Sequence, residues 1–221
     1  MLNNLAKIAL ALLRAAHLGP TLLVVIVTFF LALSVFSWVD SLRIALAIFA
    51  GQLVVGWSND LIDYPLDKAA QRFNKPLVAG KIAIGLLKKA IPVALVLAFM
   101  VSYASPLGLR GTLLHFLGIL SATVYNFKLK STVFSPLSYI ISFGTLPWAI
   151  YLAADRLPPI WLYLCFIVFS TSFHFLNVLK DLDRDLDQGI YGMPQRIGRN
   201  RSIMVAAILA LIGLITLLWF S

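Results

Sequence analysis

Residues 42–81 read LRIALAIFAGQLVVGWSNDLIDYPLDKAAQRFNKPLVAGK. A run carrying only Arg43 as a charge ends abruptly in Asp60, Asp63 and Asp67. Arg72, Lys75, Pro76 and Gly80 follow at once. An apolar stretch of this kind is a bilayer-crossing segment when about 20 residues are available. Carboxylates at its end must leave the hydrocarbon or line a wet, protein-walled cavity, because mid-bilayer Asp costs about 2.5–3.5 kcal/mol on insertion scales.

The rest of the chain agrees with a membrane setting. Of 221 residues, 61% are apolar and 12% charged, and the mean hydropathy is +0.93. Soluble domains are about 45–50% apolar and about 25% charged. The composition excludes a disordered chain, a nucleic-acid-binding arm and an ordinary soluble enzyme. All 9 acidic residues are Asp. Seven of them fall at 60, 63 and 67 and at 181, 183, 185 and 187, leaving only Asp40 and Asp155 elsewhere. The single Cys165 sits in an apolar run, with no internal disulfide to form and no metal-ligand spacing.

Seven apolar runs are long enough to span: roughly 18–38, 42–58, 89–105, 111–127, 133–153, 158–179 and 202–220. With the N-terminus in the cytoplasm, 15 of the 18 Lys and Arg fall inside, and only Arg43, Arg110 and Arg156 fall outside. Cytoplasmic loops carry such an excess, so topology accounts for most of the +9 net charge without nucleic acid. The expected fold is all-α: a polytopic transmembrane bundle forming a single domain over 1–221, multi-pass in the bilayer.

The two polar segments holding the Asp clusters, 59–81 and 177–199, then lie on the same cytoplasmic side. The second reads NVLKDLDRDLDQGIYGMPQRIGR. A shift of 118 superimposes Asn59 on Asn177, Asp63 on Asp181, Asp67 on Asp185, Pro76 on Pro194 and Gly80 on Gly198. The shared pattern is N-x3-D-x3-D-x8-P-x3-G. It indicates a duplicated helix-plus-loop unit, with two pseudo-repeated halves around a central cavity. Asp60, Asp183 and Asp187 have no repeat partner; Lys180 stands where the first copy has Asp60.

Residues i, i+4 and i+8 drift only about 80° around a helix, so Asn59, Asp63 and Asp67 share a face. Pro65 removes a backbone donor and predicts a kink or stop there, with Asp67 on or just past it. The second cluster lacks proline until Pro194 and is expected to be more regularly helical. Clustered carboxylates repel unless a cation sits among them. An all-oxygen donor set without His or Cys suits Mg²⁺, which bridges carboxylates to phosphates, and argues against Zn²⁺. Two clusters suggest ions holding a diphosphate. Arg72, Lys75, Lys128, Lys130, Lys180, Arg184 and Arg196 are candidates for the phosphate oxygens, each also explicable by topology alone. His174 shares a face with Asn177; His115 reads as core, and His17, beside Gly19-Pro20, carries no pattern.

At this point the residues resemble the UbiA superfamily of intramembrane prenyltransferases, over about 14–220. Residues 59–67 match its N-D-x-x-D-x-x-x-D motif, with Arg72, Lys75-Pro76 and Gly80 as its basic-Pro-Gly tail. Asp181, Asp185, Gly189 and Gly198 match the second motif. Tyr125-Asn126-Phe127-Lys128 looks like its Tyr-x-x-x-Lys-type segment. The resemblance implies a transferase that uses Mg²⁺ to move an isoprenyl group from a polyprenyl diphosphate to a lipophilic, usually aromatic acceptor, as in lipid-quinone biosynthesis. By that likeness Asn59, Asp63, Asp67, Asp181 and Asp185 bind Mg²⁺–diphosphate, and Arg72 and Lys128 with Tyr125 hold the diphosphate; Lys75, Asn177 and Lys180 join the substrate-binding set. The family usually has nine helices, two more than the spans read here. A CDP-alcohol phosphotransferase is the alternative enzyme, but no Asp-Gly dipeptide of its signature occurs. A cation transporter would leave the repeated Pro/Gly tails unexplained.

Overall fold

His17, just ahead of the first apolar run, separates the first two helices. In the computed structural model, which describes residues 2–220, α1 (Leu2–Ala15) and α2 (Leu18–Leu33) meet at 72°. His17 sits between them with φ 55, in the left-handed region. The elements that follow are α3 (Trp38–Ala69), α4 (Ile84–Ala104), α5 (Gly108–Phe127), a 3₁₀ turn (Leu129–Ser131), α6 (Ser135–Ala153), α7 (Ile160–Leu179), α8 (Leu182–Asp187), α9 (Met193–Ile197) and α10 (Arg199–Phe220). No strand occurs among the described residues.

The chain divides into two compact units, Met1–Thr112 and Leu113–Ser221. In the first, α3 packs against α2 on one side and α4 on the other. Ser37 starts α3 by accepting the Asp40 amide N–H at 3.2 Å, satisfying a donor that the first helical turn leaves open. At 1.5 Å per residue its 32 residues extend about 48 Å. A hydrocarbon core is about 30 Å thick, so a helix that enters near Trp38 carries its last turns, with Asn59 to Asp67, beyond the acyl chains.

In the second unit α7 packs against α6 and α10. Here small and hydroxylated residues bring helices together, the usual device where lipid is as apolar as the interface. Ser172 donates to the Ala206 carbonyl at 2.8 Å, and Ser138 donates to the Ser121 carbonyl. A Cβ placed on Gly213 would lie 2.8 Å from the Phe169 ring, so glycine admits that ring. In both units the motif-bearing helix is the middle one, packed by the helix before it and by a later one, which is the element order that duplication predicts.

Five helices, α3, α4, α6, α7 and α10, are long and apolar enough to cross a membrane, and the bent α1–α2 pair makes a possible sixth. All seven apolar runs are helical. The 20 residues of α5 include Arg110, His115 and Asn126, which make it less apolar than the five. Large apolar side chains on α4 (Val93, Val96, Met100) and α10 (Ile208, Leu211, Leu218) are exposed. Such belts on a folded chain mark contact with lipid.

Two local expectations are revised. The helix does not stop at Pro65 but continues to Ala69. Proline forfeits one backbone bond, and Asp67, paired with residues of the following loop, ties the last turn down. Conversely, the second motif breaks without a proline. The helix α7 ends at Leu179, Lys180 and Asp181 form a turn, and α8 restarts at Leu182.

Candidate active site

The first motif is a chain of alternating charges at the end of α3. Asp60, only 2% exposed, accepts from Lys75 Nζ at 2.8 Å and from His17 Nε2 at 2.9 Å, both on Oδ1. The same Lys75 Nζ lies 2.8 Å from Asp67 Oδ2. Asp67 Oδ1 accepts from Arg72 at 2.8 Å. Burial alone pulls the Lys75 ammonium down, but the adjoining Asp60 and Asp67 carboxylates outweigh it and hold its pKa above the ordinary lysine value. The loop that delivers these cations is tight: the Arg72 amide donates to the Asp67 carbonyl at 3.0 Å and the Lys75 amide to the Arg72 carbonyl at 2.9 Å. Gly80, at φ 69, takes a left-handed turn that other residues rarely adopt. Asn59 and Asp63 are half-buried on the same helix, two turns and one turn before Asp67.

The second motif is more open. Asn177, on the last turn of α7, accepts from Lys180 Nζ at 2.8 Å and reaches the Tyr139 hydroxyl at 3.5 Å. Asp181 precedes α8 and pairs with Arg184. Asp185, one turn on, accepts from Gln195 Nε2 at 2.8 Å. Burial raises the Asp185 pKa; the Gln195 hydrogen bond opposes this, the Asp181 charge adds to it, and Arg184 and Lys130 act against it. Asp183 pairs with Arg199 at the surface at 3.0 Å.

Behind Asn177 lies an aromatic wall. Tyr125 packs edge-on to Tyr139 and His174, with ring centroids 5.6 and 5.9 Å away. His174 is fully buried, with Nε2 3.0 Å from Ser135 Oγ. Ser135 in turn accepts the Met193 amide at 3.1 Å. Thus His174 is anchored to α6 and to the loop after the motif. Lys128 is exposed just past α5.

Of the residues expected from sequence, the first unit brings together Asp67, Arg72 and Lys75, and the second brings together Asn177 with Lys180 and Asp181 with Asp185. Lys75 is turned onto Asp60 and Asp67. His17, Gln195, Ser135 and Tyr139 are additions. His17 meets Asp60 across 43 positions of sequence, a separation no periodicity reveals. Gln195 lies within the repeated tail, where only Pro194 and Gly198 stood out.

The donors are carboxylate and amide oxygens throughout, the chemistry of a hard cation. Among the described residues no three His, Cys, Asp or Glu are grouped to hold a metal ion by themselves. A cation here would therefore complete its shell with water or phosphate oxygens, as Mg²⁺ characteristically does.

Fold and site together define an all-helical membrane protein with carboxylate–cation clusters at the ends of two helices. The UbiA prenyltransferase family model matches residues 18–221, and the chain belongs to that family. Solved structures with the same fold include a UbiA homologue from Archaeoglobus fulgidus bound to DMAPP and Mg²⁺, at TM-score 0.79 and 16% identity, over 94% of this chain and 76% of that one. An apo UbiA homologue from Aeropyrum pernix K1 matches at TM-score 0.71 and 17% identity, over 96% and 76%. A structure of digeranylgeranylglyceryl phosphate synthase matches at TM-score 0.70 and 19% identity, over 97% and 76%. No curated protein matches the sequence.

Proposed function

We propose that the protein transfers an isoprenyl group from a polyprenyl diphosphate to a lipophilic, aromatic acceptor within the membrane, in a Mg²⁺-dependent reaction. The observation that carries this is the pairing of acids with cations in both motifs, on a chain of the UbiA prenyltransferase family. The Archaeoglobus homologue bound to GPP and Mg²⁺ supports the substrate class.

In this reading Asn59, Asp63, Asp67, Asp181 and Asp185 bind Mg²⁺–diphosphate, and Asn177 belongs to the substrate-binding set. Bound Mg²⁺ would neutralise the charge gathering on the departing diphosphate. Arg72, Lys128, Lys180 and the Tyr125 hydroxyl bind its oxygens. Lys75 acts through Asp67, holding that carboxylate in place. The allylic C–O bond breaks with its electron pair leaving on the diphosphate. The acceptor's ring carbon forms the new bond and releases a proton. The Tyr125 and Tyr139 rings, packed edge-on at 5.6 Å, supply aromatic π density of the kind that stabilises an allylic cation. No protein nucleophile is required, and the surrounding apolar helices keep water from the cation.

The test is turnover by purified protein in lipid, with prenyl diphosphates of graded length and aromatic acceptors, read by mass spectrometry of the product. Prenylated acceptor that disappears with EDTA and returns with Mg²⁺ is expected. Metal-independent turnover, or consumption of a CDP-alcohol instead, would overturn the reading.

A further inference from the structure

We propose that His17 is a positioning residue for the first aspartate motif: through Asp60 it fixes Lys75, and through Lys75 the carboxylate of Asp67. The proposal rests on the prenyltransferase reading of the site.

Asp60 is the acid of the first motif with no counterpart in the second, and it is almost fully buried. Its Oδ1 receives both His17 Nε2, at 2.9 Å, and Lys75 Nζ, at 2.8 Å. A carboxylate is acceptor-only, so His17 donates through Nε2–H. Lys75 spans from that oxygen to Asp67 Oδ2, also 2.8 Å away, and Asp67 holds Arg72. An unbroken series of polar and ionic contacts therefore runs from the α1–α2 elbow to the last turn of α3.

The elbow is built to keep His17 there. A non-glycine residue at φ 55 is uncommon and persists only where its surroundings hold it. Three contacts do so. The Trp57 indole N–H donates to the Leu12 carbonyl at 2.9 Å. The Thr21 hydroxyl donates to the Ala16 carbonyl at 2.7 Å. Gly56 lets the backbone of Ala16 approach so closely that a Cβ would lie 2.6 Å from its carbonyl oxygen. Two of these anchors, Gly56 and Trp57, stand on α3 four and three residues before Asp60. One short stretch of α3 thus grips the elbow and receives its histidine.

His17→Gly separates backbone from side chain, since glycine accepts the left-handed conformation and loses only the imidazole. His17→Gln restores an N–H donor. The expected result is a rise of about tenfold in KM for the prenyl diphosphate in His17→Gly, with kcat changed less than about twofold, and recovery in His17→Gln. Thermal unfolding without Mg²⁺ or substrate supplies a second readout. The loss of stability in His17→Gly should shrink when Asp60→Asn is already present, because contacting residues are not additive. An unchanged KM in His17→Gly, or additive unfolding shifts, would overturn the proposal. Absence of any wild-type turnover would instead overturn the prenyltransferase reading, while the unfolding cycle still reports on the His17–Asp60 contact.

Discussion

Lys75 shows what a single charge does at this site. It is buried between two carboxylates, so replacing it leaves two buried anions short of a partner. Breaking a buried pair in this way costs about 3–5 kcal/mol. Lys75→Met is expected to lower the thermal unfolding midpoint sharply in detergent, and Asp60→Asn added to it should recover part of the loss. An unfolding midpoint unchanged in Lys75→Met would show that the network contributes nothing to stability. In the second unit, Gly192 plays the complementary steric part. A Cβ there would lie 2.5 Å from the Lys130 carbonyl and 2.7 Å from Gln195 Oε1. Gly192→Ala therefore pushes on the side chain that hydrogen-bonds Asp185, and overpacking of this kind costs about 1–3 kcal/mol. Its expected signature is a weaker response to Mg²⁺ together with reduced stability, measured as the Mg²⁺ concentration for half-maximal turnover and as the unfolding midpoint.

At the level of elements, the apolar runs and both motifs were legible in the sequence, because hydropathy and a fixed 118-residue offset survive without any tertiary information. Their local geometry was not. Pro65 reads as a kink or stop, and α3 does not stop there but runs on to Ala69, its last turn held by ion pairs from Asp67 to Arg72 and Lys75. The second cluster has no proline before Pro194, yet its helix breaks at Lys180 and Asp181. The elbow at His17 was equally hidden, since its left-handed backbone depends on the absence of a side chain at Gly56, far along the sequence. Helix ends were thus decided by long-range contacts, and the middles by local composition. The close approach at Gly56 carries its own prediction. Gly56→Ala meets backbone rather than a movable side chain, so the elbow must shift. The expected outcome is a loss of stability of about 1–3 kcal/mol in detergent, measured by chemical or thermal unfolding; a wild-type midpoint would contradict the contact.

For the whole molecule, the distribution of Lys and Arg predicts a cytoplasmic N-terminus, which labelling tests. Cys165 is buried, so a single exposed cysteine can report sidedness against a quiet background. Lys81→Cys is expected to react with a membrane-impermeant thiol reagent only from the cytoplasmic face, and Arg156→Cys only from the opposite one. Labelling of both from one face would contradict the topology. The central claim of the proposed function is that both aspartate motifs are required for ionisation of the prenyl diphosphate. The most direct measurement is release of labelled diphosphate from a prenyl diphosphate, with Mg²⁺ and acceptor, by wild type, Asp63→Ala and Asp181→Ala. Loss of about two orders of magnitude or more in each variant is expected, the scale on which removing one electrostatic contact to the developing charge acts. Wild-type turnover in either variant would contradict the account.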